Sequence, residues 1–221
     1  MATVKGLKKK INEAIWKLRR SINKRLCSDI AGEKSGVSII SCNCTGGLVM
    51  SELNIKFMSP TVNLYMSTPD FIELCENFDE YINSGLIDAS MELQYHYPVL
   101  LLGNKLVIHA VHYRNSEDFI WKWNERKKRI HKDKLFLIFV EQNGFMMDML
   151  PRIAALQYDK VMFAKQKYAG YDFICVIPGF ENNEYVGDIS SFIGLTGKRL
   201  YSRYNFAKQF RKMMNEKRYA S

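Results

Sequence analysis

The residues best suited to chemistry sit where a β-branched run breaks off. Val37-Ser-Ile-Ile-Ser41 gives way to Cys42-Asn43-Cys44-Thr45-Gly46-Gly47 and then to an apolar helical pattern. Ligands in open α/β sheets gather at such carboxyl ends of strands. Backbone N–H groups of a turn entering a helix suit an oxyanion or a phosphate. Asn43 and Cys44 are the first catalytic candidates, Cys44 as a nucleophile if a helix terminus and a neighbouring His lower its pKa. The plainer reading of Cys44 is a small apolar filler. Ser41, Thr45, Gly46 and Gly47 are the expected ligand contacts, the glycines because they allow angles and approaches that a Cβ forbids.

Two further groups of residues suit the same chemistry. His109 and His112 are three apart on an expected strand, which in an unbulged strand sets them on opposite faces. His112, closer to the strand end, is the better general base, with Tyr113 beside it as an expected ligand contact, against the plain reading of a structural histidine. In Trp123-Asn-Glu-Arg-Lys-Lys-Arg-Ile130, Asn124, Arg126 and Arg129 are candidate ligand contacts, since guanidinium forks grip phosphate or carboxylate. The same run also reads as cations favouring a helix C-terminus, with a solvated face.

Several chemistries are set aside. The chain has no GxGxxG, no GxxxxGK[ST] and no GxSxG. Cys42 and Cys44 have one residue between them and no second thiol pair or His cluster nearby, so no metal is expected. The five cysteines are odd in number and scattered, which reads as reduced thiols, with Cys75 and Cys175 as core residues. The net charge of +9 is confined to the ends: residues 1–34 hold ten Lys or Arg against three acids, and residues 198–221 hold eight against one. The middle is therefore net acidic, and no nucleic-acid partner is expected. No apolar run reaches the roughly 18–20 residues of a membrane span, and the N-terminus lacks a secretory apolar core, so a cytoplasmic protein is expected.

The elements that must position these residues follow from periodicity. The expected fold is α/β, a mixed, mostly parallel sheet with helices on both faces and basic amphipathic helices at both termini. Residues 1–34 form the N-terminal helix, 35–197 a single α/β domain and 198–221 the C-terminal helix. Leu7, Ile11, Ile15, Leu18, Ile22 and Leu26 make one helical stripe. Residues 5–26 suit an anionic membrane surface; the plain alternative docks the stripe on the core or on a second subunit, and a homo-oligomer stays open. Ser67-Thr-Pro-Asp70 starts a helix expected to run to Gly85. Strands are expected at 91–95, 99–102 and 105–113, the last two joined by a tight Gly103-Asn104 hairpin. A helix follows over 116–130, a fully buried strand over 135–140, a short helix over 146–156 disturbed at its middle by Pro151, strands at 160–164 and 173–177, and a basic helix over 201–217.

Taken together, Ile39 to Gly47, Met58-Ser-Pro-Thr61, Pro69-Asp-Phe71, Tyr97-Pro98, His109-Ala-Val-His-Tyr113 and Lys122-Trp-Asn-Glu-Arg-Lys-Lys-Arg-Ile130 resemble a bacterial family, the domain of unknown function nineteen-nineteen, often described as exopolysaccharide or capsule biosynthesis proteins. The resemblance spans roughly residues 35–180 and is most specific at the KWNxRKKRI segment. Cys42 stands where the family pattern has a second Asn, and Thr45 where it often has an aromatic. The resemblance implies α/β architecture and a place in cell-surface polysaccharide assembly. The Asn-Cys turn is also similar to that of a coenzyme-A-binding capsule protein group, which raises acyl transfer. The leading expectation is an enzyme that acylates a glycan or sugar precursor with coenzyme A as donor. There His112 serves as base, Asn43 and the amides near Cys44 to Gly47 hold the oxyanion, and Arg126 or Arg129 binds the donor phosphates. The alternative is a non-catalytic module that binds glycan or nucleotide sugar at the inner face of the plasma membrane.

Overall fold

The computed structural model describes residues 2–216; Lys217, the end of the expected C-terminal helix, lies outside them. In chain order the elements are α1 (Ala2–Leu26), β1 (Ser38–Ser41), α2 (Thr45–Leu53), α3 (Thr68–Glu76), α4 (Phe78–Asn83), β2 (Leu86–Asp88), α5 (Ser90–Leu93), β3 (Val99–Leu102) and β4 (Leu106–His109). The second half adds α6 (Ser116–Lys127), β5 (Leu135–Val140), α7 (Leu150–Ala155), β6 (Asp159–Ala164), β7 (Ile174–Val176) and α8 (Phe206–Asn215).

The fold is mixed α/β. Its central sheet is parallel throughout, in the order β1-β5-β6-β7. All six residues of β5 are buried, as the unbroken apolar run from Leu135 requires of a strand between two neighbours and under cover on both faces. The antiparallel strands make a separate sheet, β2-β3-β4, instead of extending the parallel one. Its hairpin turns at Gly103 and Asn104, both left-handed at φ +60° and +58°. The sheets meet at residues 61–66: Tyr65 and His109 exchange backbone hydrogen bonds of 2.9 Å, and Met66 N–H donates to Cys42 O at 2.9 Å.

Local chemistry explains the departures. The expected strand at 91–95 is instead the single turn α5. Asp88 Oδ1 accepts from Ser90 N–H (2.9 Å) and Ser90 Oγ from Val99 N–H (3.0 Å), bonds that curl the backbone, and Met91 is left 91% exposed. The helix begun at Ser67, whose Oγ accepts from Asp70 N–H at 3.1 Å, breaks at Asn77, so α3 and α4 are two helices. Pro151 lies in the first turn of α7 and opens that helix where it was expected to disturb one. Strand β4 ends at His109, which leaves His112 in a loop and lifts the opposite-face constraint on the pair.

The two basic terminal helices behave differently. In α8, Phe206, Phe210 and Met213 are buried, with Phe210 against Phe136 at 5.4 Å between ring centres. In α1 the body-facing side is instead polar and aromatic. Asn12 is buried, donating to Gly194 O (2.8 Å) and accepting from Gly197 N–H (3.1 Å), and Arg20 Nε donates to Ser51 O (3.0 Å). Gly197 fits because a Cβ there would come within 2.6 Å of Ile15 and 2.8 Å of the Trp16 backbone. Of the expected stripe, Leu7, Ile11, Leu18, Ile22 and Leu26 are exposed, and Ile15 is half-buried beside Gly197.

Candidate functional site

A cleft of about 510 Å³ opens beyond the carboxyl ends of β1 and β5. Asn43, Cys44 and Thr45 line it from the turn after β1, Leu48 from α2, Asn63 from the connecting segment, His112 from the loop after β4 and Gln142 from just after β5. The opposite wall is Gly187, Asp188, Ile189, Ser190 and Arg199. This is the crevice position that parallel α/β sheets offer.

The Asn-Cys turn is held from beneath by buried hydroxyls. Ser41 Oγ accepts from Gly46 N–H (3.2 Å), Ser41 N–H donates to Thr61 Oγ1 (3.0 Å), and Thr61 Oγ1 pairs with Ser59 Oγ (3.0 Å). Asn43 Oδ1 accepts from Thr45 N–H at 3.0 Å. Two of the amides expected to hold an oxyanion are thus bonded within the turn, and Ser41 is a buried brace behind the cleft. The glycines serve packing: a Cβ on Gly46 would lie 2.8 Å from Ser41 Cβ and 3.2 Å from Ile39 Cγ2, and one on Gly47 3.2 Å from Val62 Cγ1. What the turn presents to the cleft is the rest of the Asn43 amide, the Cys44 thiol and Thr45.

Cys44 is held as a thiol. Burial pushes its pKa up to about 11, with the nearby Asp188 carboxylate acting in the same sense, and Sγ lies 3.6 Å from Leu64 O. A nucleophilic cysteine needs the opposite, an electropositive surrounding that favours thiolate. Cys42 is fully buried and pushed up to about 12 by the same cause.

The far wall is brought in by hydrogen bonds from the two residues that follow β5. Buried Glu141 accepts from Tyr168 OH and from Lys165 N–H, each at 2.9 Å, and its carbonyl accepts from Val186 N–H at 3.0 Å. Gln142 Nε2 donates to Val186 O (2.6 Å) and Gly187 O (2.9 Å). Asp188 then turns the chain by accepting from Ser190 N–H at 2.8 Å. Arg199 bonds Ser190 O through Nη1, and its guanidinium carbon lies 4.5 Å from the Phe192 ring centre and 5.4 Å from that of Trp16. Its Nε is buried without a hydrogen-bond partner among the described residues. Aromatic faces thus fix this guanidinium, and Nη2 is left without a hydrogen bond among the described residues.

His112 reaches the cleft at its exposed rim, whereas His109 does not. His109 stacks on Tyr65 at 4.2 Å with Tyr97 OH 3.4 Å from Nδ1, and burial lowers its pKa, which marks a structural ring. Tyr113 is buried, donates to Val62 O (2.6 Å) and accepts from Arg126 Nη1 (2.6 Å). Arg126 also lies 5.5 Å from the Phe57 ring centre, so it braces the loop that carries His112. Asn124, Arg126, Arg129 and Tyr113 do not line the cleft. The arginine that does is Arg199, which sequence reasoning missed because it sits in the basic tail, far in the chain from the Asn43 turn and His112.

A second cavity, about 360 Å³, includes Arg19, Asn23, Glu52, Tyr201 and Arg203 and none of the residues selected from the sequence. Its buried carboxylate is already engaged, Tyr201 OH donating to Glu52 Oε2 at 2.9 Å. Among the described residues no His, Cys, Asp or Glu cluster could hold a metal ion, and no helix is long and apolar enough to cross a membrane.

A family described as Domain of unknown function (DUF1919) matches residues 16–211. A Haemophilus influenzae protein described as uncharacterized is 33% identical over 203 residues, covering 91% of this chain and 96% of that protein.

Proposed function

Since the chain belongs to the DUF1919 family and carries the cleft described above, we propose that it recognises a phosphorylated sugar of the nucleotide-sugar type, as a cytoplasmic step in cell-surface polysaccharide assembly. The observation that carries this reading is the pairing of Arg199 with a wall of amides, hydroxyls and one carboxylate: Asn43, Thr45, Gln142, Asp188 and Ser190. A guanidinium with free donors is the side chain best matched to phosphate oxygens. Side chains that between them donate and accept suit sugar hydroxyls, which do both. A volume of about 510 Å³ is of the size that small-molecule sites have, roughly 300–1,000 Å³. Isothermal titration with uridine diphosphate glucose as probe tests it. Saturable binding, weakened about tenfold in Arg199→Lys by loss of the fork, supports the reading; no binding to the wild-type protein rejects it.

A second reading rests on His112 at the rim: acyl transfer from coenzyme A to a sugar hydroxyl. His112 would take the hydroxyl proton as the oxygen attacks the thioester, and the thiol of coenzyme A would leave with a proton returned by the imidazolium. Because the Thr45 and Gly46 amides are bonded within the turn, charge stabilisation would fall to Asn43 and Arg199. Glycan acylation that is unchanged in cells carrying His112→Ala rejects this reading and leaves the binding one intact.

A further inference from the structure

We propose that α1 is a surface-lying helix that docks the protein on anionic lipid. Its stripe of Leu7, Ile11, Leu18, Ile22 and Leu26 is 40–68% exposed, while the face at Asn12, Trp16 and Asn23 meets the body. A soluble helix ordinarily buries its apolar stripe, as α8 does with Phe206, Phe210 and Met213. In α1 the body contact is made by hydrogen bonds, a stacked indole and Ile15, so the rest of the stripe is left for another surface.

Charge selects that surface. Residues 2–26 hold nine Lys or Arg and a single acid, Glu13. Lys8, Lys10, Lys17, Lys24 and Arg25 are exposed around the stripe, and none forms an ion pair among the described residues. A second copy of the helix would bring these cations against their own kind, whereas anionic headgroups complement them. The geometry is that of an interfacial helix, which sinks its apolar face roughly 5–10 Å into the headgroup boundary and keeps its cations at the phosphates. Docking would also set the cleft close to the surface. Trp16, on the body-facing flank of the same helix, is stacked on Arg199, so that wall lies about one helix diameter, ~10–12 Å, from the lipid.

Co-sedimentation of the full chain with vesicles tests this. The protein is expected to sediment with equimolar phosphatidylglycerol and phosphatidylcholine at low salt, to remain in solution with phosphatidylcholine alone, and to be released by added salt. Leu18→Glu combined with Ile22→Glu, both at exposed positions, should cut the bound fraction about tenfold while leaving the circular dichroism spectrum and nucleotide-sugar titration unchanged. Three results overturn the proposal: no sedimentation with the anionic vesicles, binding by the double variant equal to wild type, or a wild-type dimer in sedimentation velocity that the double variant converts to monomer.

Discussion

The Arg199 guanidinium carbon stands 5.4 Å from the ring centre of Trp16, which joins the wall of the cleft to the N-terminal helix. Phe192 flanks the same group at 4.5 Å, so the arginine is held by two aromatic faces and the carbonyl of Ser190. Trp16→Leu removes one face and is expected to weaken uridine diphosphate glucose binding severalfold, about 0.5–1 kcal/mol, with the far-ultraviolet spectrum retained. Titration calorimetry reads the effect, and unchanged affinity would mean that Trp16 does not position Arg199.

Gly46 is a packing residue by its contacts. Gly46→Ala sets a methyl 2.8 Å from Ser41 Cβ and 3.2 Å from Ile39 Cγ2, both in buried residues, and is expected to destabilise the fold by about 1–3 kcal/mol. Urea unfolding measures it. A variant of wild-type stability would show that the turn has room the structure does not give it.

The thiols set an alkaline limit. The pKa values of Cys44 and Cys42 are raised in the fold, to about 11 and about 12, so each binds its proton more tightly folded than unfolded. Their contribution to stability is complete below the unfolded thiol value, about 8.5, and is lost as pH climbs through the folded values. Urea midpoints should therefore fall between about pH 9 and 11, and less so in Cys44→Ser. Iodoacetamide should alkylate native Cys44 far more slowly at pH 8 than a free thiol, and rapid labelling would restore the nucleophile reading.

The two amphipathic helices should respond oppositely to truncation. Phe210 is fully buried against Phe136, so Phe210→Ala should lower stability by about 3–5 kcal/mol. Ile22 is 47% exposed, and Ile22→Ser should fall within about 0.5 kcal/mol of wild type. Thermal melts separate the two, and equal losses would contradict the orientation of α1.

The parts of the fold legible in the chain are those with local causes. Leu135 to Val140 reads as a central strand because six consecutive apolar residues need cover on both faces. Gly103-Asn104 reads as a hairpin because its turn needs left-handed backbone, and the Asn43 to Gly47 turn reads as a strand end beside a helix. The far wall of the cleft had no such signal. Val186 and Gly187 are held by Gln142 from more than forty residues away, and Arg199 is aimed by a tryptophan near the other end of the chain. The KWNERKKRI segment has residues with the right chemistry for phosphate, but Tyr113 and Phe57 engage Arg126, and none of Asn124, Arg126 and Arg129 lines the cleft. The stripe on α1 was visible in the sequence, yet its direction was decided by hydrogen bonds that Asn12 donates to Gly194 and accepts from Gly197.

The central claim is that a phosphorylated sugar is held between Arg199 and the Asn43 turn. A crystal structure of the protein with uridine diphosphate glucose tests it most directly. Density for the diphosphate within hydrogen-bond reach of Arg199, with the sugar against Asn43, Gln142 and Asp188, is the predicted result. An occupied second cavity beside Glu52 and Arg203 with an empty cleft would contradict it.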